Sequence, residues 1–412
     1  MKILCIHPDL GIGGAERLMI DVGLSLKRIG QDVKFVTSYH DPKRCFPETI
    51  DGSLEVKVSA NWFPRSICGH FYALCAYLRM IILAFSVVIQ SKICDSNSFD
   101  LVICDLVSAQ IPFLKWLYKF IHGKPLRVIF YCHHPDQLLT QKHSLIRSVY
   151  RFPLNWLEEV TTGMADRILV NSDYTASVFR STFHSLTKVD IKVLYPICNF
   201  GSLDMPVKDK LSDTKIPSDN STVFLSINRY ERKKGLSLCI EAFAVVKKQL
   251  KSRDEEIPYC HLIVAGGYDD RLRENVEYYQ ELVNLAAKLG VDKEVTFLKS
   301  PSDERKRALI HRCTALVYTP QDEHFGIVPL EAMFLQTPVI ACNSGGPLET
   351  VKDGLTGFLC DPMAESFARA MLKFVDDRGL SRKMGKKGRR HVLKEFSSRT
   401  FDEHLLAVIQ EQ

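Results

Sequence analysis

Two glutamates that lie eight positions apart carry the strongest chemical signal in the sequence. They are Glu323 and Glu331, the two ends of the segment EHFGIVPLE. Gly326 loosens the backbone ahead of a predicted helix, and Pro329 suits the first turn of that helix, where the missing N–H of proline costs least. Helix N-termini expose backbone N–H groups that bind phosphate. The segment therefore predicts a site for a sugar, a phosphate and a ribose in a row, as in a nucleotide sugar.

Two cations lie in the segment 226–235, which follows an apolar run and leads into a helical stretch. These cations are Arg229 and Lys234. An Arg can grip a diphosphate through two parallel hydrogen bonds, and a Lys acts as a point charge. A basic loop is often only solvated surface. Its place at the end of a predicted strand favours a role in stabilising a leaving diphosphate.

Two glycine-rich turns also follow predicted strands and precede predicted helices. In the first, GIGGA at 11–15, Gly13 and Gly14 would let the backbone approach a phosphate closely, and a tight strand-to-helix turn is the alternative. This turn lacks the third glycine of the dinucleotide fingerprint. In the second turn, at 343–349, Glu349 is either a supporting residue of the site or a first-turn carboxylate that the helix dipole favours.

A histidine ends one of the predicted strands of the first half. His133, in the segment YCHHPD, can donate to a sugar or act in proton transfer, and a structural histidine is the alternative. The sequence holds no Asp-x-Asp triplet and no His-Glu-x-x-His motif. We therefore expect no metal and no cofactor, and the electrostatic work falls to Arg229, Lys234 and helix dipoles.

Apolar runs that alternate with helical stretches must position these segments. Such alternation predicts an α/β protein with parallel sheets and right-handed crossovers, in which ligands bind at the carboxyl ends of the strands. The first helical stretch is 17–30. The predicted strands are 2–6, 32–37, 101–104, 127–132 and 167–170 in the first half, and 223–227, 261–265, 295–298, 315–318 and 338–341 in the second half.

A stretch rich in Pro, Ser, Asp and Lys separates the two halves and predicts a linker at 196–221. We therefore predict two Rossmann-like open-sheet domains, 1–195 and 222–396, facing a cleft. Residues 397–412 are predicted to form a C-terminal helix, a candidate to pack back on the first domain.

The composition restricts the class of protein. Of the 412 residues, 46% are hydrophobic and 25% charged, as in ordinary globular proteins. The net charge of +6 is too small to argue for nucleic acid and is compatible with an anionic membrane surface. The 13 cysteines are dispersed without a Cys-x-x-Cys pair, which argues against zinc and indicates buried, reduced thiols in a cytosolic setting.

One apolar segment raises the question of membrane contact. Residues 71–89 are apolar except for Arg79 and are about long enough to span a bilayer. A central Arg is expensive there, so a helix partly buried in the first domain is favoured, with an interfacial or re-entrant helix as the alternative. Residues 115–127 mix cations with aromatics, as interfacial segments do, although a solvated loop looks similar. The basic run 378–394 favours a solvated helix face over a lipid site.

Four segments together resemble the retaining GT-B glycosyltransferases that carry an E-x7-E motif. They are PDLGIGGAER at 8–17, TTGMAD at 161–166, NRYERKK at 228–234 and EHFGIVPLE at 323–331. Within that family the match is to mannosyltransferases of the dolichol pathway, and it covers nearly the whole chain. The resemblance implies a GT-B fold, with a first domain that faces the acceptor and the membrane and a second domain that binds the nucleotide sugar.

The resemblance also implies the substrates. GDP-mannose would be the donor and Man-GlcNAc2-diphosphodolichol the acceptor, which receives an α-1,3 and then an α-1,6 mannose on the cytosolic face of the endoplasmic reticulum membrane. Other mannosyltransferases of the pathway are candidate partners. Another GT-B glycosyltransferase acting on a lipid-linked acceptor, and a non-catalytic GT-B scaffold, are the alternatives. A soluble sugar-nucleotide epimerase of this fold would not need the apolar segment 71–89.

Site residues follow from the same resemblance. Arg229 and Lys234 would contact the donor phosphates, Glu323 the mannose and Glu331 the ribose. His133 would lie near the mannose, although His134 occupies a position where relatives carry an aromatic residue. Retention would arise from attack on the same face as the departing GDP, or from a double displacement with Glu323 as nucleophile. Backbone contacts to the diphosphate would come from Phe325, Gly326, Ile327 and Val328, and from Gly13 and Gly14 in the first domain.

Overall fold

The chain divides into two compact units. The computed structural model describes residues 1–93, 98–139, 145–198, 200–206, 211, 221–253 and 259–411. Unit 1 comprises Met1–Ile197 and Ser398–Gln412, and unit 2 comprises Cys198–Ser397. The predicted linker, 196–221, is described only in part, because residues 199, 207–210 and 212–220 lie outside the described ranges.

Unit 1 is built on a parallel sheet of seven strands in the order β3-β2-β1-β4-β5-β6-β7. The central strands are mostly apolar and buried, as expected for strands covered on both faces, with polar residues at their ends. The strands are β1 Lys2–Asp9, β2 Asp32–Tyr39, β3 Glu55–Val58, β4 Leu101–Asp105, β5 Arg127–Cys132, β6 Arg167–Val170 and β7 Ile191–Val193.

Helices cover both faces of this sheet. One core contains the buried side of α1 and of α15, and the other contains the buried side of α2 and α3. The helices of unit 1 are α1 Gly14–Arg28, α2 Tyr72–Ile93, α3 Ile111–His122, α4 Asp136–Leu139, α5 Leu145–Thr162, α6 Asp173–Thr182 and, from the end of the chain, α15 Ser398–Gln410.

The apolar segment at 71–89 forms the long helix α2. By length and composition this helix could cross a membrane. Nine of its 22 residues are nevertheless buried within unit 1, among them Arg79, whose guanidinium donates to Ser38 O at 2.9 Å. Burial lowers the pKa of Arg79, with the nearby charge of Arg65 as a second cause. The charge that interrupts the apolar segment is therefore accommodated by protein, and α2 packs against unit 1 with one side while other apolar residues of the helix remain exposed.

The C-terminal helix α15 packs on unit 1. Asp402 accepts hydrogen bonds from Arg28 Nε at 2.9 Å and from the Ser25 hydroxyl, both on α1. Arg127 at the start of β5 donates to Val408 O and Ile409 O at 2.8 and 2.6 Å. These contacts satisfy carbonyl groups of the last turn that have no partner within the helix.

Unit 2 repeats the architecture with six parallel strands in the order β10-β9-β8-β11-β12-β13. Its strands are β8 Thr222–Ile227, β9 Cys260–Gly266, β10 Val295–Lys299, β11 Ala315–Tyr318, β12 Val339–Cys342 and β13 Gly357–Cys360. Its helices are α7 Phe200–Leu203, α8 Leu236–Lys251, α9 Arg273–Lys288, α10 Asp303–Arg312, α11 Ile327–Phe334, α12 Pro347–Thr350, α13 Ala364–Asp376 and α14 Arg378–Glu395. The short helix α7 lies inside the predicted linker, where the Phe200 ring stacks on Phe334 with centroids 4.4 Å apart.

All ten predicted strands are present, and every pairing is parallel. Three strands escaped prediction, namely β3, β7 and β13, and each is an edge strand of three or four residues. An edge strand pairs on one side only, so its sequence need not be a long apolar run. The first helix begins at Gly14, three residues before the predicted 17, because the glycine-rich turn already contributes its first residue.

Candidate functional site

The sequence-predicted residues of unit 2 lie at the carboxyl ends of three neighbouring strands. Strand β8 leads into the loop with Arg229 and Lys234, β11 into the segment with Glu323, and β12 into the second glycine turn. These strands are adjacent in the order β8-β11-β12. Parallel strands bring their carboxyl ends to one edge of the sheet, which is the usual ligand edge of an open α/β sheet.

Lys234 and Glu323 meet directly at this edge. Lys234 Nζ lies 2.5 Å from Glu323 Oε2, and both side chains are largely shielded from water. The hydroxyl of Tyr318, the last residue of β11, lies 3.4 Å from the same oxygen. Gly235, in the left-handed region at φ 59°, turns the chain into α8, while the Thr319 hydroxyl donates to Lys234 O at 2.9 Å. A carboxylate and an ammonium are thus fixed as a pair beside a strand end.

Gly326 starts helix α11 from a left-handed conformation, with φ at 80°. The helix begins at Ile327, so Pro329 lies in the first turn, as the sequence predicts. A β-carbon at position 326 would lie 3.2 Å from the Tyr318 hydroxyl oxygen, so the site leaves little room there. The N-terminus of α11 therefore starts immediately beside the Lys234–Glu323 pair, where its dipole favours negative charge.

Glu331 lies one turn inside α11 and pairs with a lysine that sequence reasoning missed. Its Oε2 lies 2.5 Å from Lys306 Nζ of α10. Burial raises the pKa of Glu331, and the Lys306 charge opposes that rise. The two glutamates of the segment are accordingly held by two different lysines.

The second glycine turn supports the backbone of this segment. Gly346 N donates to Glu323 O at 2.7 Å, and the Ser344 hydroxyl accepts from Asp322 N at 3.0 Å. A β-carbon on Gly345 would lie 2.4 Å from Glu323 O, and one on Gly346 would lie 2.3 Å from Phe325 O. Only glycine permits this close approach of two backbones. The second glycine turn therefore holds the backbone of residues 322–325 in place.

Arg229 stands apart from the lysine–glutamate pair. Its side chain is 62% exposed and its Nη1 lies 2.7 Å from Glu231 Oε1. Glu231 also pairs with Lys233 at 3.2 Å. The structure thus brings Lys234 to Glu323, as sequence position suggests, while Arg229 points into solvent on the same loop.

In unit 1 the glycine-rich turn leads into the N-terminus of α1. Gly13 is the residue before the helix, in extended conformation, and Gly14 is its first residue. A β-carbon on Gly14 would meet nothing within 4 Å, whereas one on Gly13 would meet the flexible carboxylate of Glu16 at 2.3 Å. The protein's own packing therefore does not demand a glycine at position 14.

His133 belongs to a buried chain of three polar side chains. Its Nε2 lies 2.8 Å from Asp105 Oδ2, and His7 Nδ1 lies 2.7 Å from Asp105 Oδ1. His7 lies in β1, Asp105 ends β4, and His133 follows β5, so the three residues come from neighbouring strands of the sheet. His7 and Asp105 are fully buried, and His133 is only slightly exposed. The Tyr131 ring lies 4.7 Å from the His133 ring, between centroids.

Asp105 is the central group of this network of three side chains. Burial alone would raise the pKa of Asp105, but His7 and His133 outweigh it and lower that pKa. Burial alone would lower the pKa of His7, but the Asp105 carboxylate raises it overall. An ionised Asp105 accepts a hydrogen bond from each ring. A neutral His133 that donates from Nε2 keeps Nδ1 as an acceptor. The ring can therefore accept a hydrogen from a hydroxyl group.

A second buried carboxylate holds the loop that follows His133. Glu158 of α5 accepts from Asp136 N at 2.6 Å and from Gln137 N at 3.1 Å, at the start of α4. Burial, aided by the charge of Asp136, raises the pKa of Glu158 to about 7. Arg151 pairs with Asp136 at 2.8 Å. This second group fixes the end of the loop whose start carries His133.

Nothing in the described ranges groups three His, Cys, Asp or Glu side chains so that they could hold a metal ion. The cations near the glutamates are lysines and an arginine.

The sequence matches two family models that together cover most of the chain. Residues 12–199 match "Glycosyltransferase Family 4", and residues 207–391 match "Glycosyl transferases group 1". The chain is 47% identical over 406 residues to the alpha-1,3/1,6-mannosyltransferase ALG2 of Mus musculus, covering 98% of this chain and 94% of the relative. The ALG2 of Dictyostelium discoideum is 43% identical over 427 residues, covering 100% of this chain and 98% of the relative. The chain belongs to the ALG2 family of alpha-1,3/1,6-mannosyltransferases.

Solved structures confirm the fold of this ALG2-family chain. A sucrose-phosphate synthase from Thermosynechococcus elongatus superposes with a TM-score of 0.71 at 19% identity, covering 100% of this chain and 98% of that one. The Anabaena protein Alr3699/HepE, solved in complex with UDP, superposes with a TM-score of 0.70 at 18% identity, covering 99% of both chains. The predicted GT-B architecture of two Rossmann-like domains is thus confirmed, and the chain is a glycosyltransferase.

Three contact residues of the ALG2-family chain were not predicted, namely His7, Asp105 and Lys306. The predicted strands ended at 6 and 104, one residue before His7 and Asp105, since apolar runs stop there. The signal was present nonetheless, because a polar residue directly after a buried strand lies at the ligand edge of the sheet. Lys306 carried no such signal, since it lies in a helix with many charges.

Proposed function

We propose that this ALG2-family chain transfers mannose from GDP-mannose to Man-GlcNAc2-diphosphodolichol, first in α-1,3 and then in α-1,6 linkage. The observation that carries the proposal is the Lys234–Glu323 pair beside the N-terminus of α11. Relatives that share nearly the full length of the chain are named for both linkages. The enzyme would act on the cytosolic face of the endoplasmic reticulum membrane, and other mannosyltransferases of the pathway are its candidate partners.

The donor would lie along the edge formed by β8, β11 and β12. Lys234 and Arg229 would bind the diphosphate, and their charge would stabilise GDP as it leaves. Arg229 is exposed and can swing towards a ligand, at the cost of its exposed pair with Glu231. The backbone N–H groups from Phe325 to Val328, at the start of α11, would complete the anion site.

Each glutamate would bind a different part of the donor. Glu323, next to Lys234, would accept hydrogen bonds from mannose hydroxyls. Glu331, one turn further along α11, would bind the ribose hydroxyls, with Lys306 holding its carboxylate in place.

Unit 1 would supply His133, Gly13 and Gly14. With Nε2 engaged by Asp105, His133 would present Nδ1 to a mannose hydroxyl and accept its hydrogen. Gly13 and Gly14 would let the start of α1 approach a phosphate, and the open space around position 14 is compatible with this.

We propose that the reaction needs no metal ion, because lysine, arginine and a helix N-terminus supply the positive charge. Retention would follow from same-face attack as GDP departs. A double displacement through a mannosyl-Glu323 ester is the rival path, because Glu323 would contact the mannose. Capture of that ester by mass spectrometry of the isolated peptide would decide for double displacement. An activity that survives excess EDTA is expected.

The proposal is tested with purified protein, GDP-mannose and the lipid-linked trisaccharide, resolving products by the number of hexoses added. We expect two successive additions, and removal by linkage-specific mannosidases would assign them. Extension with UDP-glucose but not with GDP-mannose would overturn the donor. Full activity of Glu323→Ala would overturn the site, and no transfer from any donor would point to a scaffold.

A further inference from the structure

Helix α5 presents large apolar side chains to water. Val149, Phe152, Trp156 and Val160 are spaced three or four residues apart, so they lie on one side of the helix. Phe152 is 75% exposed and Trp156 62% exposed. Leu154 and Glu158, on the opposite side, are buried in unit 1. The outer side of α5 is thus apolar over about three turns, the reverse of the usual pattern for a surface helix.

Helix α3 extends this apolar area. Trp116 and Phe120 are 63% and 78% exposed, and their rings stack with centroids 6.1 Å apart. Lys115, one residue before Trp116, donates to Met164 O at 3.1 Å just beyond the end of α5. The two helices also pack against each other, so both sets of exposed side chains belong to one region of the unit 1 surface. We call the surface formed by these six side chains the aromatic face: Trp116, Phe120, Val149, Phe152, Trp156 and Val160.

Positive charge borders the aromatic face at the end of α3. Lys119 and Lys124 are exposed on either side of Phe120 in the sequence, and Lys92 is exposed in the last turn of α2. The neighbouring Ser91 hydroxyl lies 2.9 Å from His122 Nε2, which brings the end of α2 to the end of α3. Burial lowers the pKa of His122, and the charges of Lys92 and Lys124 lower it further.

The carboxylates near the aromatic face are engaged within unit 1. Glu158 is buried, Glu159 accepts from Ser185 N and its hydroxyl at 2.6 Å, and Asp166 pairs with Lys115 at 2.7 Å. The face therefore combines a broad apolar area and two tryptophans with exposed lysines at its border. An apolar patch of this kind marks an interaction site.

We propose that the aromatic face docks unit 1 on the surface of a bilayer that carries anionic headgroups. Tryptophan and phenylalanine partition into the interfacial region, and lysines beside them meet the negative headgroups. The partly buried helix α2 then need not cross the membrane. The proposed function, with its lipid-linked acceptor, explains why the chain would dock on a bilayer. Docking itself is tested separately, because vesicle binding is measured without donor or acceptor.

The full chain is mixed with vesicles of pure phosphatidylcholine and with vesicles of equal parts phosphatidylcholine and phosphatidylserine, and the bound fraction is measured by flotation. We expect stronger binding to the anionic vesicles. The variant Phe152→Ser/Trp156→Ser should lose at least about tenfold in affinity for both, because two large apolar groups no longer enter the interface. Leu272→Ser/Leu393→Ser, which removes exposed apolar groups from unit 2, is the matched control and should bind as the wild type does.

The lysines give a second, independent readout. Lys119→Gln/Lys124→Gln should weaken binding to the anionic vesicles by about fivefold per lysine and leave pure phosphatidylcholine binding unchanged. In Trp62→Phe/Trp116→Phe, Trp156 is the one remaining tryptophan of the sequence, and its emission should shift to the blue on anionic vesicles.

Three results would overturn the proposal. They are a wild-type chain that binds neither kind of vesicle, a Phe152→Ser/Trp156→Ser chain that binds as the wild type does, and a wild-type dimer that this variant converts to monomers. The last result would assign the face to a second copy of the chain. Loss of vesicle binding with retained transfer to a water-soluble, short-chain acceptor would separate docking from the proposed function.

Discussion

The two units hold their functional side chains in opposite ways. In unit 1, Asp105 is fully buried between two histidines that lie on neighbouring strands, so the position of His133 is fixed by protein on most sides. In unit 2, Glu323 is held by the flexible side chain of Lys234, and Arg229 extends into solvent. The difference fits the proposed function, in which unit 1 would offer a prearranged hydrogen-bond acceptor. Unit 2 would offer cations that regroup around an incoming diphosphate.

The largest effect is expected when the cation of unit 2 is removed. Lys234→Met should lower kcat by roughly a hundredfold to a thousandfold, because a preorganised charge beside the leaving group is lost. The assay is mannose transfer from GDP-mannose at saturating donor. Lys233→Met is the matched control, since that lysine is exposed and pairs with Glu231, and its rate should stay within about twofold. Equal losses of kcat in the two variants would contradict a specific role of Lys234 beside the leaving group.

A smaller effect is expected when the centre of the unit 1 network is neutralised. Asp105→Asn should lower kcat on the order of tenfold, because the amide can donate to His133 and no longer fixes its tautomer. His133→Ala and the double variant are measured alongside. Residues that act as one unit give non-additive losses, so the double variant should be no worse than His133→Ala alone. Additive losses would mean that Asp105 acts without His133.

The glycines offer a matched comparison between the units. Gly346→Ala should cost about 2–4 kcal/mol of stability, because the new β-carbon meets the backbone of Phe325. Gly14→Ala has open space and a helical position, so stability should hold or rise by up to about 1 kcal/mol. Thermal unfolding followed by circular dichroism measures both. If a phosphate approaches α1, Gly14→Ala should raise the KM for GDP-mannose; an unchanged KM would remove Gly14 from the donor site.

The smallest effect is a pH dependence of stability confined to unit 1. The pKa of His7 is raised in the folded chain, so its contribution is complete below about pH 6.5 and is lost as pH rises through the raised folded value. The pKa of Asp105 is lowered, so its contribution is present above about pH 4 and is lost as pH falls. All three tryptophans lie in unit 1, at 62, 116 and 156, so their fluorescence reports its unfolding in urea. His7→Asn should flatten the decline above pH 6.5, because the group whose pKa is raised on folding is removed.

The sequence was sufficient to predict the strands that are marked by a clear apolar run. Buried parallel strands are apolar runs of four to eight residues, and nine of the ten predicted strands are of this kind. The tenth, the edge strand β10, was predicted because its run at 295–298 is also mostly apolar. The edge strands β3, β7 and β13 were not predicted, since an edge needs no such run. Arg79 shows the same limit, because its buried guanidinium donates to Ser38 O, an acceptor that lies 41 positions away in the sequence.

The site was predictable where local spacing carries the chemistry. Gly326, Pro329 and the two glutamates are read from one short segment, and the structure places them as expected around the start of α11. The partners of these groups are not local. Lys306 reaches Glu331 from another helix, and His7 reaches Asp105 across 98 positions of sequence. Such pairs depend on strand order, which a single sequence does not display.

The return of α15 to unit 1 sets the order in which the chain can finish folding. Roughly two hundred residues separate the end of the first part of unit 1 from its last helix. During synthesis the apolar side of α1 stays exposed until all of unit 2 has emerged from the ribosome and α15 can pack on it. Unit 2 is therefore free to fold before the unit that precedes it is complete. A ribosome that stalls before Ser398 would release a chain whose first sheet lacks one of its covering helices, a species suited to capture by chaperones.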